Sequence, residues 1–203
     1  MTINKERKSE AKTEAILEGA IAEFLKSGYA ATSMDRVAKS AGVSKATVYN
    51  HFGDKQSLFD AVMQYLVKDK FQTVMGLEQP HSLKQDPKIV LSEMATKMLE
   101  NAKSDRHFQD FIRIIIGESG RFPELAQAYV NNIVKPAIDT LTKYFKFHPQ
   151  LKLKDPEATV RIMMGSLIYF VMLQEMMHGK DIVPLEGDRL IETLTNLIVS
   201  DRD

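Results

Sequence analysis

The sequence predicts an all-α fold. Apolar residues recur with a period near 3.6 residues along almost the whole 203-residue chain, as in amphipathic helices. Alternating strand-like segments of useful length and two-residue hairpin turns do not occur in it. With 10 Gly, 7 Pro and 44% hydrophobic residues, the composition is that of a globular chain. We therefore expect three short helices followed by six longer ones.

The composition also excludes several classes of protein. The 27 basic and 27 acidic residues give zero net charge, which together with the apolar content disfavours disorder. Because the chain has no cysteine, disulfides, cysteine-based metal sites and thiol nucleophiles are excluded. The most apolar run, Ile162–Leu173, is shorter than a membrane span, and the polar N-terminus lacks a signal-peptide core. We expect a cytoplasmic protein with no membrane association.

The first three helices are predicted to be short. Gly28 and Gly42 end the first two, and Thr32 and Ser44 are the expected N-caps of the second and third. The predicted helices are Glu10–Ser27, Met34–Ala41 and Lys45–Phe52.

The six longer helices follow near residues 54–76, 87–102, 108–116, 123–145, 156–178 and 185–198. Pro136 is expected to kink the fourth of them. The fifth is apolar nearly all round and must be covered on every side, partly by a second copy of the chain. The last is expected to bury Leu190, Leu194, Leu197 and Ile198.

Residues Thr32–Lys55 have the pattern of a helix-turn-helix. A short helix is followed by an Ala-Gly-Val turn and then by a second short helix. Val48 and Phe52 form the inner face of the third helix. Its outer face carries small, hydrogen-bonding and aromatic residues with one cation and no carboxylate, which suits a DNA major groove. These outer residues are Lys45, Ala46, Thr47, Tyr49, Asn50 and His51. The helix N-termini at Thr32/Ser33 and at Ser44 are expected to face phosphates.

This stretch resembles the DNA-binding domain of the TetR family of bacterial transcriptional regulators, from about Ala15 to Leu66. The resemblance implies that Thr32 or Ser33, Tyr49, His51 and Lys55 hold phosphates. It also implies that Lys45, Ala46, Thr47 and Asn50 face bases or the adjacent backbone.

By the same resemblance, residues 1–54 form the DNA-binding domain and residues 55–203 form an effector-binding and dimerisation domain. Homodimers would form through residues 155–178 and 186–200. The expected function is a repressor that binds a palindromic double-stranded DNA operator and is released by a small apolar or amphipathic effector. Residues Arg113–Leu125 resemble the efflux-regulator subgroup. The sequence does not decide whether the protein represses or activates transcription.

Methionine and aromatic residues of the later helices are candidates for an effector cavity, with ordinary core packing as the alternative. The candidates are Met94, Met98, Phe108, Phe111, Ile115, Met163, Phe170 and Gln174. Glu118 is among the polar residues that could select a ligand.

The alternative function is an all-α ligand-binding or metal-dependent enzyme without a role on DNA. Glu175 and His178 have the spacing of a carboxylate-bridged metal motif, but a second helical copy of the motif is missing from the sequence. Nucleotide-binding glycine patterns and catalytic motifs are also missing from it. We expect no catalytic residues, no metal site and no cofactor.

Overall fold

The computed structural model describes residues 2–75 and 84–199, and all regular elements in these ranges are helical, which confirms the predicted all-α class. The α-helices are α1 (Thr2–Ala31), α2 (Met34–Ser40), α3 (Lys45–Phe52), α4 (Lys55–Met75), α5 (Pro87–Ser104), α6 (Arg106–Glu118), α7 (Pro123–Tyr129), α8 (Lys135–Phe147), α9 (Pro156–Val171) and α10 (Gly187–Val199). π-helical turns follow α7 at Val130–Val134 and α9 at Met172–Met176.

Side-chain caps and glycines fix the ends of the first helices. Gly28, at φ +74°, interrupts the regular geometry of α1, and Gly42, at φ +65°, makes the turn between α2 and α3. Ser44 caps α3 as predicted, since its hydroxyl accepts the Thr47 N–H at 3.1 Å. The predicted cap of α2 is wrong: Ser33, not Thr32, accepts the Arg36 N–H.

The long helix predicted around Pro136 is divided. α7 ends at Tyr129, five residues form a π turn, and α8 resumes at Lys135. Pro136 has no N–H to donate, and its ring crowds the carbonyl four residues earlier, so the helical ladder widens just before it.

Two compact units make up the chain. The first unit comprises residues 1–68 and 110–133, and the second comprises 69–109 and 134–203. This division does not coincide with the predicted boundary near residue 54. It differs because α7 and parts of α4 and α6 share a core with the first three helices.

The second unit exposes large apolar side chains on its last two helices. Ile162 and Tyr169 of α9 are 66% and 64% exposed, and Leu197 of α10 is 63% exposed. The prediction that Leu197 is buried is therefore wrong, although Leu194 and Ile198 are buried as expected. An apolar face is thus left uncovered on both helices.

The apolar stretch that contains α9 is longer than the sequence run suggested. Pro156–Met176 is long and apolar enough to cross a membrane by length and composition alone, so the prediction that this apolar run is too short for a membrane span is wrong. Val160, Met163 and Leu167 of this stretch are nevertheless buried in the core of the second unit. One side of the stretch is therefore protein core.

Candidate nucleic-acid interface

α3 has one buried and one exposed side. Val48 is wholly buried in the core of the first unit. Lys45, Ala46, Tyr49 and Asn50 are exposed. Val48 thus lies on the inner side and these four residues on the outer side, as the sequence predicts, whereas Phe52 is only half-buried.

Two serine hydroxyls lie at helix N-termini beside this surface. Ser33 and Ser44 are both exposed and cap α2 and α3. The Ser44 Oγ also lies 2.8 Å from the Thr47 Oγ1, so two hydroxyls stand together at the start of α3. The start of a helix, where backbone N–H groups have no helical partner, is a site suited to phosphate oxygens.

Lys45 is the cation of the outer face. Its Nζ lies 2.7 Å from the Asp35 carboxylate and 5.8 Å from the centre of the Tyr49 ring. The hydrogen bond to Asp35 raises the pKa of Lys45, so this side chain stays charged. Since both partners of the ion pair are exposed, little free energy opposes exchanging Asp35 for a phosphate.

His51 and Thr47 are half-buried at the edge of the same surface. The Nδ1 of His51 lies 3.2 Å from the Thr13 hydroxyl, which ties α3 to the middle of α1. The structure therefore gives His51 a contact within the protein that the sequence did not predict.

Thr32 departs from its predicted role. Only 2% of it is exposed, and its hydroxyl donates to the carbonyls of Gly28 at 2.7 Å and Glu23 at 3.1 Å. Because the hydroxyl is buried at the end of α1, its side chain holds the protein backbone rather than a phosphate. Ser33 presents the exposed hydroxyl at this position.

Lys55 also departs from its predicted phosphate contact. Its ammonium donates to the carbonyls of Tyr29 at 2.9 Å and Thr32 at 3.0 Å, and reaches that of Ala30 at 3.5 Å. It lies 4.3 Å from the centre of the Tyr29 ring. Burial lowers the pKa of Lys55, while nearby Glu118 acts in the opposite direction. Lys55 therefore holds the end of α1, where a cation also complements the helix dipole.

Glu118, which the sequence offered only as a possible ligand selector, reaches the same place from α6. Its Oε1 accepts the Tyr29 N–H at 2.7 Å, and its Oε2 accepts the Ala30 N–H at 2.9 Å. Helical periodicity cannot reveal this contact, because it joins residues 88 and 89 positions apart along the chain.

The eight predicted effector residues do not share one site. Phe111 and Ile115 are buried in the core of the first unit, whereas Met94 and Met163 are buried in that of the second. Met98 packs against the second core, and Phe108 is half-buried. For the four buried residues, ordinary core packing describes what the structure shows.

Phe170 and Gln174 lie together in the wall of a cleft of about 510 Å³ within the second unit. The apolar part of the wall comes from Leu99 of α5, Ile191 of α10 and Leu185, which lies just before α10. Further carboxylates and ammonium groups complete the lining. The Gln174 side chain is buried and donates to the Val183 carbonyl at 2.8 Å, which fixes the loop that closes one side.

The metal-like spacing of Glu175 and His178 does not form a ligand pair. Glu175 binds the Lys180 ammonium at 2.8 Å, and His178 is exposed in a left-handed conformation at φ +57°. Among the side chains that the structure describes, no three histidine or carboxylate groups lie together as a metal site would need.

Comparison with known proteins gives two family matches. Residues 16–62 match the bacterial regulatory proteins of the TetR family, and residues 89–198 match the C-terminal domain of AefR-like transcriptional repressors. TetR-family members are transcriptional regulators and not enzymes, so the enzyme alternative is not supported.

Individual relatives agree with these matches over most of the chain. YhgD, an HTH-type transcriptional regulator of Bacillus subtilis, is 26% identical over 195 residues, which are 93% of this chain and 95% of that protein. A TetR-family regulator from Mesorhizobium loti superposes with a TM-score of 0.74 at 25% identity, over 95% of this chain and 96% of that one. The flavonoid-responsive regulator FrrA superposes with a TM-score of 0.75 at 26% identity, over 92% and 94% of the two chains. The chain is a DNA-binding transcriptional regulator and belongs to the TetR family.

Proposed function

We propose that this protein is a homodimeric repressor whose two α3 helices enter successive major grooves of a palindromic operator. The observation that carries the proposal is the exposed outer face of α3 above the buried Val48. Lys45, Thr47 and Asn50 contact base edges or the adjacent backbone, with Ala46 close to the bases.

Phosphate contacts would fix the register of the protein on the duplex. Ser33 and Ser44 offer hydroxyls and helix N-terminal amides, while Tyr49 and His51 contact the flanking backbone. Thr32 and Lys55 are left out of the contact set, because both side chains are committed to the backbone at the end of α1.

The dimer forms through α9 and α10. Ile162, Tyr169 and Leu197 expose apolar surface on these two helices, and exposed apolar patches mark interaction sites. TetR-family regulators are typically dimers, and a dimer matches the two-fold symmetry of a palindrome. The predicted ranges 155–178 and 186–200 contain these side chains.

The cleft of about 510 Å³ is the proposed effector site, since its volume lies in the range of small-molecule pockets. Its lining combines apolar side chains such as Phe170 with five carboxylates and two ammonium groups. This favours a small amphipathic effector with a positive charge. FrrA is named for its response to flavonoids, which supports regulation by a small molecule. Release from DNA requires that the effector bind the DNA-free conformation more tightly.

Selection of bound duplexes from a random DNA pool tests the DNA-binding part of the proposal. We expect an enriched inverted repeat with half-sites about 34–36 Å apart, or a multiple of that distance. Its affinity, measured by fluorescence anisotropy, falls steeply between 50 and 200 mM salt because phosphate contacts release counterions. No enrichment by folded, dimeric protein would contradict the proposal.

A second titration tests the effector site on the selected duplex. Tetraphenylphosphonium, an apolar cation, is expected to release the DNA at lower concentration than decanoate, an apolar anion. Phe170→Ala should weaken release, whereas Phe147→Ala, at a side chain that is 60% exposed outside the cleft, should not. Equal release by both compounds would contradict the assigned charge of the effector.

A further inference from the structure

The end of α1 after the kink at Gly28, together with the connection to α2, is held by side chains from two other helices. We refer to residues 28–33 as the connection. Lys55 of α4 donates to the carbonyls of Tyr29 and Thr32. Glu118 of α6 accepts the N–H groups of Tyr29 and Ala30. The same short segment is therefore held by its carbonyls from α4 and by its N–H groups from α6.

Gly28 fits this arrangement in two ways. Its φ of +74° is one that side chains with a Cβ rarely adopt. A Cβ at this position would also lie 2.5 Å from the Oε1 of Glu118, well inside contact distance. The glycine thus makes room for the carboxylate, and an alanine would drive the two apart.

Both oxygens of Glu118 are used by the connection. Backbone N–H groups that donate to an ionised carboxylate form stronger hydrogen bonds than those to neutral acceptors. A glutamine of the same shape has one carbonyl oxygen and one NH₂ group, so it can accept only one of the two N–H groups. Glu118→Gln therefore removes half of the contact with little change in volume.

The connection leads directly into the helix-turn-helix. Ser33, its last residue, caps α2, and α2 packs against α3 through the Gly42 turn. The angle at which α1 passes into α2 therefore affects where the outer face of α3 points. The carboxylate that fixes this angle lies in α6, outside the helix-turn-helix sequence.

We propose that Glu118 is a positioning residue for DNA binding, which fixes the start of the helix-turn-helix through the Tyr29 and Ala30 N–H groups. This inference rests on the proposed operator binding. Glu118 touches no DNA in this arrangement and acts through the backbone that it holds.

The test uses the full chain, the duplex selected from the random pool and the variant Glu118→Gln. Hydrogen exchange measured by NMR should show faster exchange at the Tyr29 and Ala30 amides. Anisotropy should show operator affinity lowered by about tenfold, because the loosened connection would hold the DNA-binding geometry only about a tenth of the time. Both are measured at a temperature where urea unfolding shows the variant to be folded. Glu93→Gln, the same change at an exposed position of α5, is the matched control and should alter neither reading.

The outcomes separate this inference from the proposed function. If the wild type selects no duplex, the proposed function fails, while the exchange at Tyr29 and Ala30 still reports the contact. If the wild type binds and Glu118→Gln binds equally well, the positioning role is overturned. Faster exchange without loss of affinity also overturns it. Should Glu118→Gln fail to fold, Glu118→Asp is measured instead, because its shorter side chain withdraws the carboxylate from the two N–H groups. Faster exchange with lowered affinity supports the positioning role, and wild-type affinity overturns it.

Discussion

The two compact units differ in how their cores are built. The first unit centres on aromatic rings, with Phe24 stacked on Tyr29 at 5.8 Å and edge-on to Phe59 at 5.3 Å between centroids. Its buried Thr32 has hydrogen-bond partners. The second unit is built mainly from aliphatic and methionine side chains, such as Leu91, Met94, Leu141, Met163 and Leu167.

Buried polar atoms sharpen the contrast. Within the described residues, the Tyr144 hydroxyl and the His148 Nε2 of the second unit are buried without a hydrogen-bond partner. Burial raises the pKa of Tyr144 to about 12 and lowers that of His148, so both side chains stay neutral. Other buried polar side chains of the second unit, such as Gln109 and Thr195, do have partners. The contrast with the first unit therefore rests on the unpaired Tyr144 and His148 atoms.

The largest expected effect comes from breaking the aromatic core. Phe24 is wholly buried and touches Tyr29, Phe59 and Phe111. Phe24→Ala should lower the free energy of unfolding by about 3–5 kcal/mol, because it leaves a cavity between rigid rings. Urea denaturation measures the change. Phe147→Ala, at an exposed ring of the second unit, should stay within about 0.5 kcal/mol of wild type. Similar losses in both variants would contradict the burial pattern.

Substitution of Gly28 should be the next largest effect. Gly28→Ala combines an unfavourable φ with the close approach to Glu118, and should cost about 1–3 kcal/mol of unfolding free energy. Gly53→Ala is the matched control, since Gly53 has φ +73° but open space around its missing Cβ. Thermal or urea unfolding should rank Gly28→Ala as the more destabilised. If both variants lose the same unfolding free energy, the close approach to Glu118 does not contribute to the destabilisation of Gly28→Ala.

Removing a single hydroxyl should have opposite consequences in the two units. Thr32→Val deletes one hydroxyl donor that two carbonyls share, at nearly constant shape, and should cost about 1–2 kcal/mol. Tyr144→Phe deletes a hydroxyl that is buried without a partner, so it should leave stability unchanged or raise it slightly. Paired urea denaturation curves check both changes. A marked loss of stability in Tyr144→Phe would refute the contrast between the two cores.

The smallest effect is a pH dependence in the second unit. Burial lowers the pKa of His148 below its ordinary 6.5, so the folded protein keeps this ring neutral while the unfolded chain takes up a proton. The unfolded state binds more protons below pH 6.5, and the stability present above that value is lost as the pH falls. His148→Asn should therefore lose less stability than wild type between pH 7.5 and 5.5.

The exposed His178 provides the control for this measurement. Its left-handed backbone accepts asparagine, so His178→Asn should keep the wild-type pH dependence. If the stability of wild type and of His148→Asn falls equally between pH 7.5 and 5.5, the burial of His148 does not contribute to the pH dependence of stability.

The sequence predicted the features that depend on neighbouring residues. The turn at Gly42, the cap at Ser44 and the buried Val48 follow from local backbone preferences and helical spacing, and each is confirmed. The outer face of α3 follows from the same spacing. The all-α fold class could be predicted from the 3.6-residue period of the apolar residues alone.

The differences concern side-chain contacts that helical spacing does not encode, several of them between distant segments. The resemblance to the TetR family implies phosphate contacts for Thr32 or Ser33 and for Lys55, and the helix start at Thr32/Ser33 adds to it there. In the structure Thr32 and Lys55 both hold backbone carbonyls. The sequence offers Glu118 only as a possible ligand selector, because its partners Tyr29 and Ala30 are far away along the chain. The predicted effector residues all have core-like spacing, and a helical period cannot tell which of two cores a side chain enters.

The proposed function requires that DNA bind the outer face of α3, while the residues behind it hold the fold. Because Tyr49 is exposed on that face, Tyr49→Ala is the first variant to measure. Anisotropy with the selected duplex should show affinity lowered by at least about tenfold, while the urea midpoint remains that of wild type. Undiminished binding by Tyr49→Ala would contradict this requirement.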